Sequence, residues 1–409
     1  MTAFQCPTRQ SFLDQFEKIA GRVSDSGYAL IDAWDNEIAV LKEVSEYFGS
    51  IQKHIRANAG GICGITTTDM VNRDWENWTR VMQVGPLSAD EAAELAALAG
   101  AGTKRAQPIT RVRPGHADLA GALKYGFNDV RNVLERSSAR ETAARVAAGG
   151  VARAFLREVG IDVWSFTAEV GGVAVDPARC TRPRDEADAS PLRCPDPDAE
   201  AAMIARIDEA RSGGDTVGGV FEVVVHGAPI GLGSYVHWDR RLDAALAAAV
   251  MSIHIVKGVE FGLGFEQTRR FGSRVHDVID GRRPDGTWIH RSNNAGGLTG
   301  GVSNGEPIVV RGAVKPISTL ARPLPTSDLI SGAPVDAAHY ERSDISVVPA
   351  AGVIAEAMVM LTLARFVLEK TGGDSMAEVA DNLRRYRERI AAQPVPPVPG
   401  DGSANDDAG

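Results

Sequence analysis

The residues of this chain best suited to chemistry stand in a few short, widely separated stretches. Arg113-Pro114-Gly115-His116 reads as a turn, because a proline disfavours helix in the residue before it. A histidine on a rigid turn can exchange a proton near neutral pH. Arg136-Ser137-Ser138 places a guanidinium and two hydroxyls at a break between helical patterns. Together they make a candidate site for anion binding and proton transfer; the plainer reading is a core histidine and a helix junction. Lys315-Pro316-Ile317-Ser318-Thr319 joins a cation, a rigidifying proline and two hydroxyls, a set that suits a phosphate. Arg342 and Asp344 come just before an apolar stretch. Arg291 to Gly305 holds five glycines, Gly300 among them, and three asparagines. Such a run lets backbone N–H groups approach a ligand, and it equally suits a set of hairpin turns.

These stretches need elements to hold them. From Asp118 the pattern predicts a helix with Leu119, Leu123 and Phe127 on one stripe. A second helix from Ala139 is rich in alanine, which predicts close packing on several sides. Ile161 to Val175 reads as one or two strands, with Gly171-Gly172 as a turn or bulge. Asp198 is positioned to cap a helix running to about Arg211. Gly218 to His226 is a predicted strand, Arg240 to Val256 a small-residue helix, and Ile308 to Ala313 a strand. Ala351 to Thr371 predicts a long apolar helix stopped by Gly372-Gly373, and Asn382 to Ala392 a charged one. In residues 1–71 the pattern predicts short helices and strands, and Ser88 to Gly100 an alanine-rich helix. No GxGxxG follows a strand, so a dinucleotide-binding α/β domain is not predicted. An α+β arrangement, with buried helices covered by antiparallel sheet, fits better.

The 409 residues are 44% hydrophobic, enough for a sizeable core. A net charge of -9 without a basic run argues against nucleic acid as a partner. The sequence reading expects no membrane-spanning helix and no signal peptide, and hence a cytoplasmic protein. Four cysteines, Cys6, Cys63, Cys180 and Cys194, form no CxxC pair and read as reduced thiols. A pairing of Cys180 with Cys194 across a polar loop is the alternative. Gln393 to Gly409 reads as a disordered tail.

Several segments together resemble the chorismate synthase family. They are NRDWENW at 72–78, RPGHADLAGALKYGFNDVRNVLERSSARETAARVAAG at 113–149 and GLGSYVHWDRRLDAALAAAVMSIHIVKGVEFGLGF at 231–265. SNNAGGLTGGVSNGEPIVVRGAVKPIST at 292–319 and RSDISVVPAAGVIAEAM at 342–358 continue the match in order. The resemblance implies a β-α-β sandwich, a homotetramer and reduced FMN as cofactor. It implies a lyase of the shikimate pathway and aromatic amino-acid biosynthesis. The implied reaction is a 1,4-anti elimination of phosphate from 5-enolpyruvylshikimate 3-phosphate, giving chorismate. Carried over by position, His116 is the flavin's proton donor, and Asp344 assists hydrogen removal. The implied flavin contacts are Arg136, Ser137, Ser138, His254, Ile255, Gly300, Lys315, Pro316, Ile317, Ser318, Thr319 and Arg342. Position 255 is commonly alanine in the family, so Ile255 adds bulk. No metal is implied.

The resemblance divides the chain into residues 1–71, an atypical segment; 72–392, a chorismate synthase-like domain; and the tail from 393. Residues 1–71 lack the family's Gly-Glu-Ser-His-Gly element, whose histidine is assigned to protonating the departing phosphate. They also lack its glycine- and arginine-rich segment, which serves the substrate and NADP. The alternative function is therefore an inactive flavin-binding homologue that assembles with a complete synthase. YFGSIQKHIRANAGGICGI faintly resembles the start of iron/2-oxoglutarate oxygenases, but the three metal ligands of that class are not found: His276 and Asp277 are adjacent rather than spaced.

Overall fold

The computed structural model describes residues 108–392, apart from residues 138, 140, 284, 285 and 341–343 and the side chains of Asn132, Glu135 and Arg136. The expectations for residues 1–107 and for the tail lie outside the described residues. The chain divides into two compact units. One holds the residues up to Ala143, Glu169–Gly219 and Lys315–Val348; the other holds Ala144–Ala168, Val220–Val314 and the residues from Pro349.

In the first unit, helix α1 (Asp118–Tyr125) ends on Gly126 at φ 69°, and α2 (Arg131–Arg136) follows. The predicted stripe of α1 is not its core face. Leu119 and Leu123 are 48% and 68% exposed, whereas Asp118 and Ala122 are buried. The reason is the close approach of α2: a Cβ on Gly121 would lie 2.6 Å from Val133 Cγ1. Small residues therefore face inward, and a cluster of Val112, Ala122, Val130 and Val133 forms, with Phe127 packed against it.

Helix α3 (Glu141–Glu158) follows, then strands β1 (Asp162–Val170) and β2 (Val173–Ala174). Val170 pairs with Val173 across Gly171 and Gly172, whose φ values are 58° and 87°. This is the predicted turn, in the two-residue form that needs positive φ at both central residues. After a short helix α4 (Arg184–Ala189), helix α5 (Pro197–Gly213) is capped by Asp196, not by Asp198 as expected. The Asp196 carboxylate accepts from the backbone N–H of Asp198 at 3.0 Å and of Ala199 at 3.1 Å. Pro197, which has no N–H to satisfy, takes the first helical position. Cys180 and Cys194 are not joined to each other by a disulfide.

The second unit is built on a sheet in which β1, β3 (Gly219–His226), β9 (Ile308–Val314) and β4 (Val256–Phe261) lie in that order. Phe221, Val223 and Val225 of β3 and Ile308, Val310 and Val314 of β9 turn to the buried face. Helix α6 (Leu242–Met251) is shorter than expected, because the chain from Val256 pairs with β9 at Val314 instead of continuing as helix. The β5 (Ile279–Arg282) and β6 (Trp288–His290) strands form one small hairpin, and β7 (Leu298–Thr299) and β8 (Val302–Ser303) another. A third, β10 (Thr326–Ser327) with β11 (Pro334–Val335), belongs to the first unit.

Helix α7 (Val348–Thr371) starts three residues before the expected Ala351, with Pro349 in its first turn. It is long and apolar enough to cross a membrane, where the sequence reading expected no such helix; 61% of its apolar window is nevertheless buried inside the chain. Glu356 in its middle is 1% exposed, accepts from the Ser165 N–H and hydroxyl at 2.8 and 2.7 Å, and pairs with Arg153. These are the marks of a core helix.

Helix α3 crosses α7 closely, since a Cβ on Gly149 would lie 2.4 Å from Ala357 Cβ. Its alanine-rich sequence serves that crossing. Within this chain α3 buries Val146, Gly149, Ala152 and Leu156 on one face, not several, and leaves Val151 53% exposed. Helix α8 (Met376–Ala391) begins six residues before the expected Asn382, because Ser375 and Glu378 form a capping box.

Candidate functional site

The turn before α1 is built around two buried, opposite charges. Arg113 is 6% exposed and Asp118 is fully buried. Asp118 Oδ2 accepts from the Arg113 backbone N–H at 3.1 Å and from its Nε at 2.8 Å, and Oδ1 accepts from Nη2 at 3.1 Å. Gly115 at φ 74° reverses the chain between them and brings His116 back over the pair. His116 Nδ1 then lies 2.6 Å from Asp118 Oδ1. Burial pushes the Asp118 carboxyl up, but the hydrogen bonds from His116 and Arg113 and their charges outweigh it, holding the group well below the usual carboxylate range. Its place in the first turn of α1 also favours the charged form.

The segment after β9 is fastened to this turn. Arg113 Nη1 donates to Thr319 Oγ1 at 3.0 Å, and Lys315 Nζ donates to the Gly115 carbonyl at 3.1 Å. A Cβ on Gly115 would lie 3.7 Å from Ser318 Cβ, in ordinary contact. The Ile317 carbonyl accepts from the Thr216 hydroxyl at 2.7 Å, which pins the other side of the segment. Pro316 is exposed and Thr319 buried. Two stretches singled out separately, 113–116 and 315–319, are thus one piece of structure. Beside them opens a cleft of about 490 Å³ with His116, Leu119, Leu123 and Thr326 in its walls. The outward leucines of α1 line this cleft and not a core.

The remaining predicted residues lie as follows. Ser137 ends α2, and its hydroxyl donates to the Val133 carbonyl at 2.7 Å. The Arg136 side chain, Ser138 and Arg342 lie outside the described residues. Asp344 is half-buried in the first unit. His254, Ile255 and Gly300 belong to the second unit, His254 exposed and Ile255 half-buried. Gly300 and Gly301, at φ 62° and 84°, make the turn of the β7–β8 hairpin. A Cβ on Gly300 would meet nothing within 4 Å, so the turn is open to a ligand as well as required by the hairpin. Gly301 accepts from the N–H of Leu242, the first residue of α6, whereas His254 follows that helix's last turn. Gly300 and His254 therefore stand at opposite ends of α6, about 15 Å apart along its axis at 1.5 Å per residue.

Three residues were not singled out from the sequence as site residues. Arg113 and Asp118 flank His116, and the available signal was a carboxylate two positions after a histidine, at a helix start. Ser346 is 2% exposed, and its hydroxyl has no hydrogen-bond partner among the described residues. No sequence signal marks it.

Reduced flavin mononucleotide is the cofactor implied by the sequence resemblance, and the donor set fits such a group. His116 lines a cleft together with Leu119 and Leu123, and Lys315 and Thr319 are bonded to the turn that forms its edge. This is the mixture an anionic, planar ligand needs.

Comparison with known proteins gives one answer. The family model for chorismate synthase matches residues 58–368. The chain is 52% identical over 323 residues to the chorismate synthase of Thermobifida fusca, covering 78% of this chain and 79% of that one. It is 51% identical over 353 residues to that of Desulforudis audaxviator, covering 83% and 85%. It is 51% identical over 338 residues to that of Mycobacterium tuberculosis, covering 81% of each. A solved crystal structure of chorismate synthase superposes with a TM-score of 0.58 at 44% identity, covering 67% of this chain and 77% of that chain.

Proposed function

Since this chain belongs to the chorismate synthase family, lyases of the shikimate pathway that serve aromatic amino-acid biosynthesis, we propose that it eliminates phosphate from 5-enolpyruvylshikimate 3-phosphate with reduced FMN bound. A C–O and a C–H bond of the substrate break, one new C=C bond forms, and chorismate and phosphate leave. The departing hydrogen is not acidic; a bound reduced flavin would supply transient electron density without net redox change. The chain's own residues bind, orient and move the proton. His116 stands in the cleft wall as the proton donor to the flavin. Lys315, Ser318 and Thr319, with Arg136, Ser137, Ser138 and Arg342, hold phosphate and flavin oxygens through charge and hydrogen bonds. Pro316 and Ile317 keep that segment rigid. Asp344 assists removal of the hydrogen, and the resemblance also assigns flavin contacts to His254, Ile255 and Gly300. The working form is a cytoplasmic homotetramer.

The observation that carries this reading is the fastening of the 315–319 segment to the His116 turn by Arg113–Thr319 and Lys315–Gly115. The test is anaerobic incubation with photoreduced FMN and 5-enolpyruvylshikimate 3-phosphate, following phosphate release and chorismate absorbance together. Equal amounts of both products are expected. Flavin binding with no product, or no flavin binding, overturns the proposal.

A further inference from the structure

We propose that Asp118 and Arg113 are positioning residues for His116: Asp118 holds the ring proton on Nδ1, Arg113 locks the carboxylate in place, and Nε2 is left as the nitrogen that exchanges a proton at the cleft. The inference rests on the reading of His116 as a proton donor, and it supplies what that reading lacks, namely which ring nitrogen acts and what fixes it.

The argument starts from hydrogen-bond capacity. An ionised carboxylate only accepts, at about four sites. Asp118 receives the backbone N–H, Nε and Nη2 of Arg113, and its fourth neighbour is His116 Nδ1 at 2.6 Å. Nδ1 therefore carries a hydrogen. Arg113 Nη2 lies 3.1 Å from Nδ1 and 3.3 Å from Nε2. Nη2 is thus almost equally far from both ring nitrogens, which places it over the ring face and leaves the in-plane lone pair of Nε2 unoccupied by it. The ring is thus held at Nδ1 by the carboxylate and covered on one face by the guanidinium.

Among the described residues, the charged groups bonded to His116 are Arg113 on its own turn and Asp118 on α1, and Lys315 bonds the Gly115 carbonyl next to it in the chain. The Asp118 side chain is fully buried, and that of His116 is 20% exposed. The positioning pair is therefore sealed, while the ring reaches the cleft. A buried carboxylate that fixes a histidine tautomer is a recurring device, because the nitrogen that reacts is chosen by the bond the other nitrogen makes. Arg113 also donates to Thr319. The same side chain thereby sets the position of the ring relative to the 315–319 segment.

The test is made on the full chain, first without flavin or substrate. Histidine labelled with ¹³C and ¹⁵N reports the tautomer, and His116→Gln identifies the His116 signals by their loss. The expected wild-type ring is protonated on Nδ1 when neutral. In Asp118→Asn the amide NH₂ faces Nδ1, and the ring is expected to turn to the Nε2-protonated form. Turnover should then fall about 10²- to 10⁴-fold, in line with loss of a correctly held general acid, with KM for substrate within about threefold if binding is undisturbed. A wild-type ring protonated on Nε2 overturns the inference without any variant. So does Asp118→Asn that folds and keeps turnover within about threefold of wild type, well short of a lost general acid. The tautomer is read with no ligand present. An Nδ1-protonated ring in a chain that makes no chorismate would support the inference and count against the proposed reaction alone.

Discussion

Lys315 Nζ donates to the carbonyl oxygen of Gly115 at 3.1 Å, across 200 positions of sequence. One ammonium thereby ties a strand end to the turn that carries His116. Lys315→Met keeps the stem and removes the charge. A charge-assisted hydrogen bond contributes about 1.5–3 kcal/mol, so affinity for reduced FMN should fall roughly tenfold or more. Anaerobic fluorescence titration measures it, and an unchanged Kd would remove Lys315 from the cofactor's binding groups. The group lies at the surface, so the thermal midpoint should hardly move.

Gly149 offers a contest between two effects. Alanine is preferred over glycine in a helix by about 0.8–1.0 kcal/mol. At this position, however, a Cβ would lie 2.4 Å from Ala357 Cβ and 2.7 Å from its Cα. Overpacking costs about 1–3 kcal/mol, so Gly149→Ala should destabilise on balance and Gly149→Val more so. Gly213, the last residue of α5, would meet nothing within 4 Å, and Gly213→Ala should be neutral or stabilising. Urea unfolding of the three variants decides which effect wins.

Glu356 is a buried acceptor shared by the Ser165 N–H, the Ser165 hydroxyl and Arg153. Glu356→Ala leaves a guanidinium only 13% exposed without this carboxylate. Breaking a buried pair in this way costs about 3–5 kcal/mol. The expected result is a large fall in the denaturant midpoint. Glu356→Gln, which keeps an acceptor for Ser165, should lose less.

The acid limb of stability has a definite sign at Asp328. The Ser331 N–H, then the Thr110 hydroxyl, hold its carboxyl at about 2 against an ordinary 3.8. A depressed folded-state value favours folding above the ordinary value and loses that advantage as pH falls through the folded one. Wild type should therefore lose stability between about pH 4 and pH 2, and Asp328→Asn should lose less over the same window. Chemical unfolding at several pH values in that range tests it. Parallel curves for the two proteins would exclude a role for this carboxylate.

Much of the fold could be read along the chain wherever local chemistry alone decides. Gly171-Gly172 turns β1 into β2 as expected, because only positive φ at both positions closes so short a hairpin. Gly372-Gly373 stops α7 for a similar reason. Helix starts were less legible. Asp196 and Ser375 cap α5 and α8 through geometry that a neighbouring Asp198 or Asn382 imitates in sequence. The inward face of α1 was not legible, because periodicity marks the large apolar residues. Here Gly121 and Ala122 face inward, while Leu119 and Leu123 turn to a cleft.

The same division runs through the site. Residue types and motif order by themselves determined which stretches carry chemistry, and the family to which those stretches belong, since both depend on chemical identity at fixed spacing. Tertiary structure alone decided that Arg113 reaches Thr319 and that Lys315 reaches Gly115. It also decided that Asp118 is sealed beneath His116. Contacts between residues some 200 positions apart form only where the 315–319 segment lies against the 113–116 turn, and burial, which gives the Asp118–His116 bond its strength, exists only once the chain has closed over it.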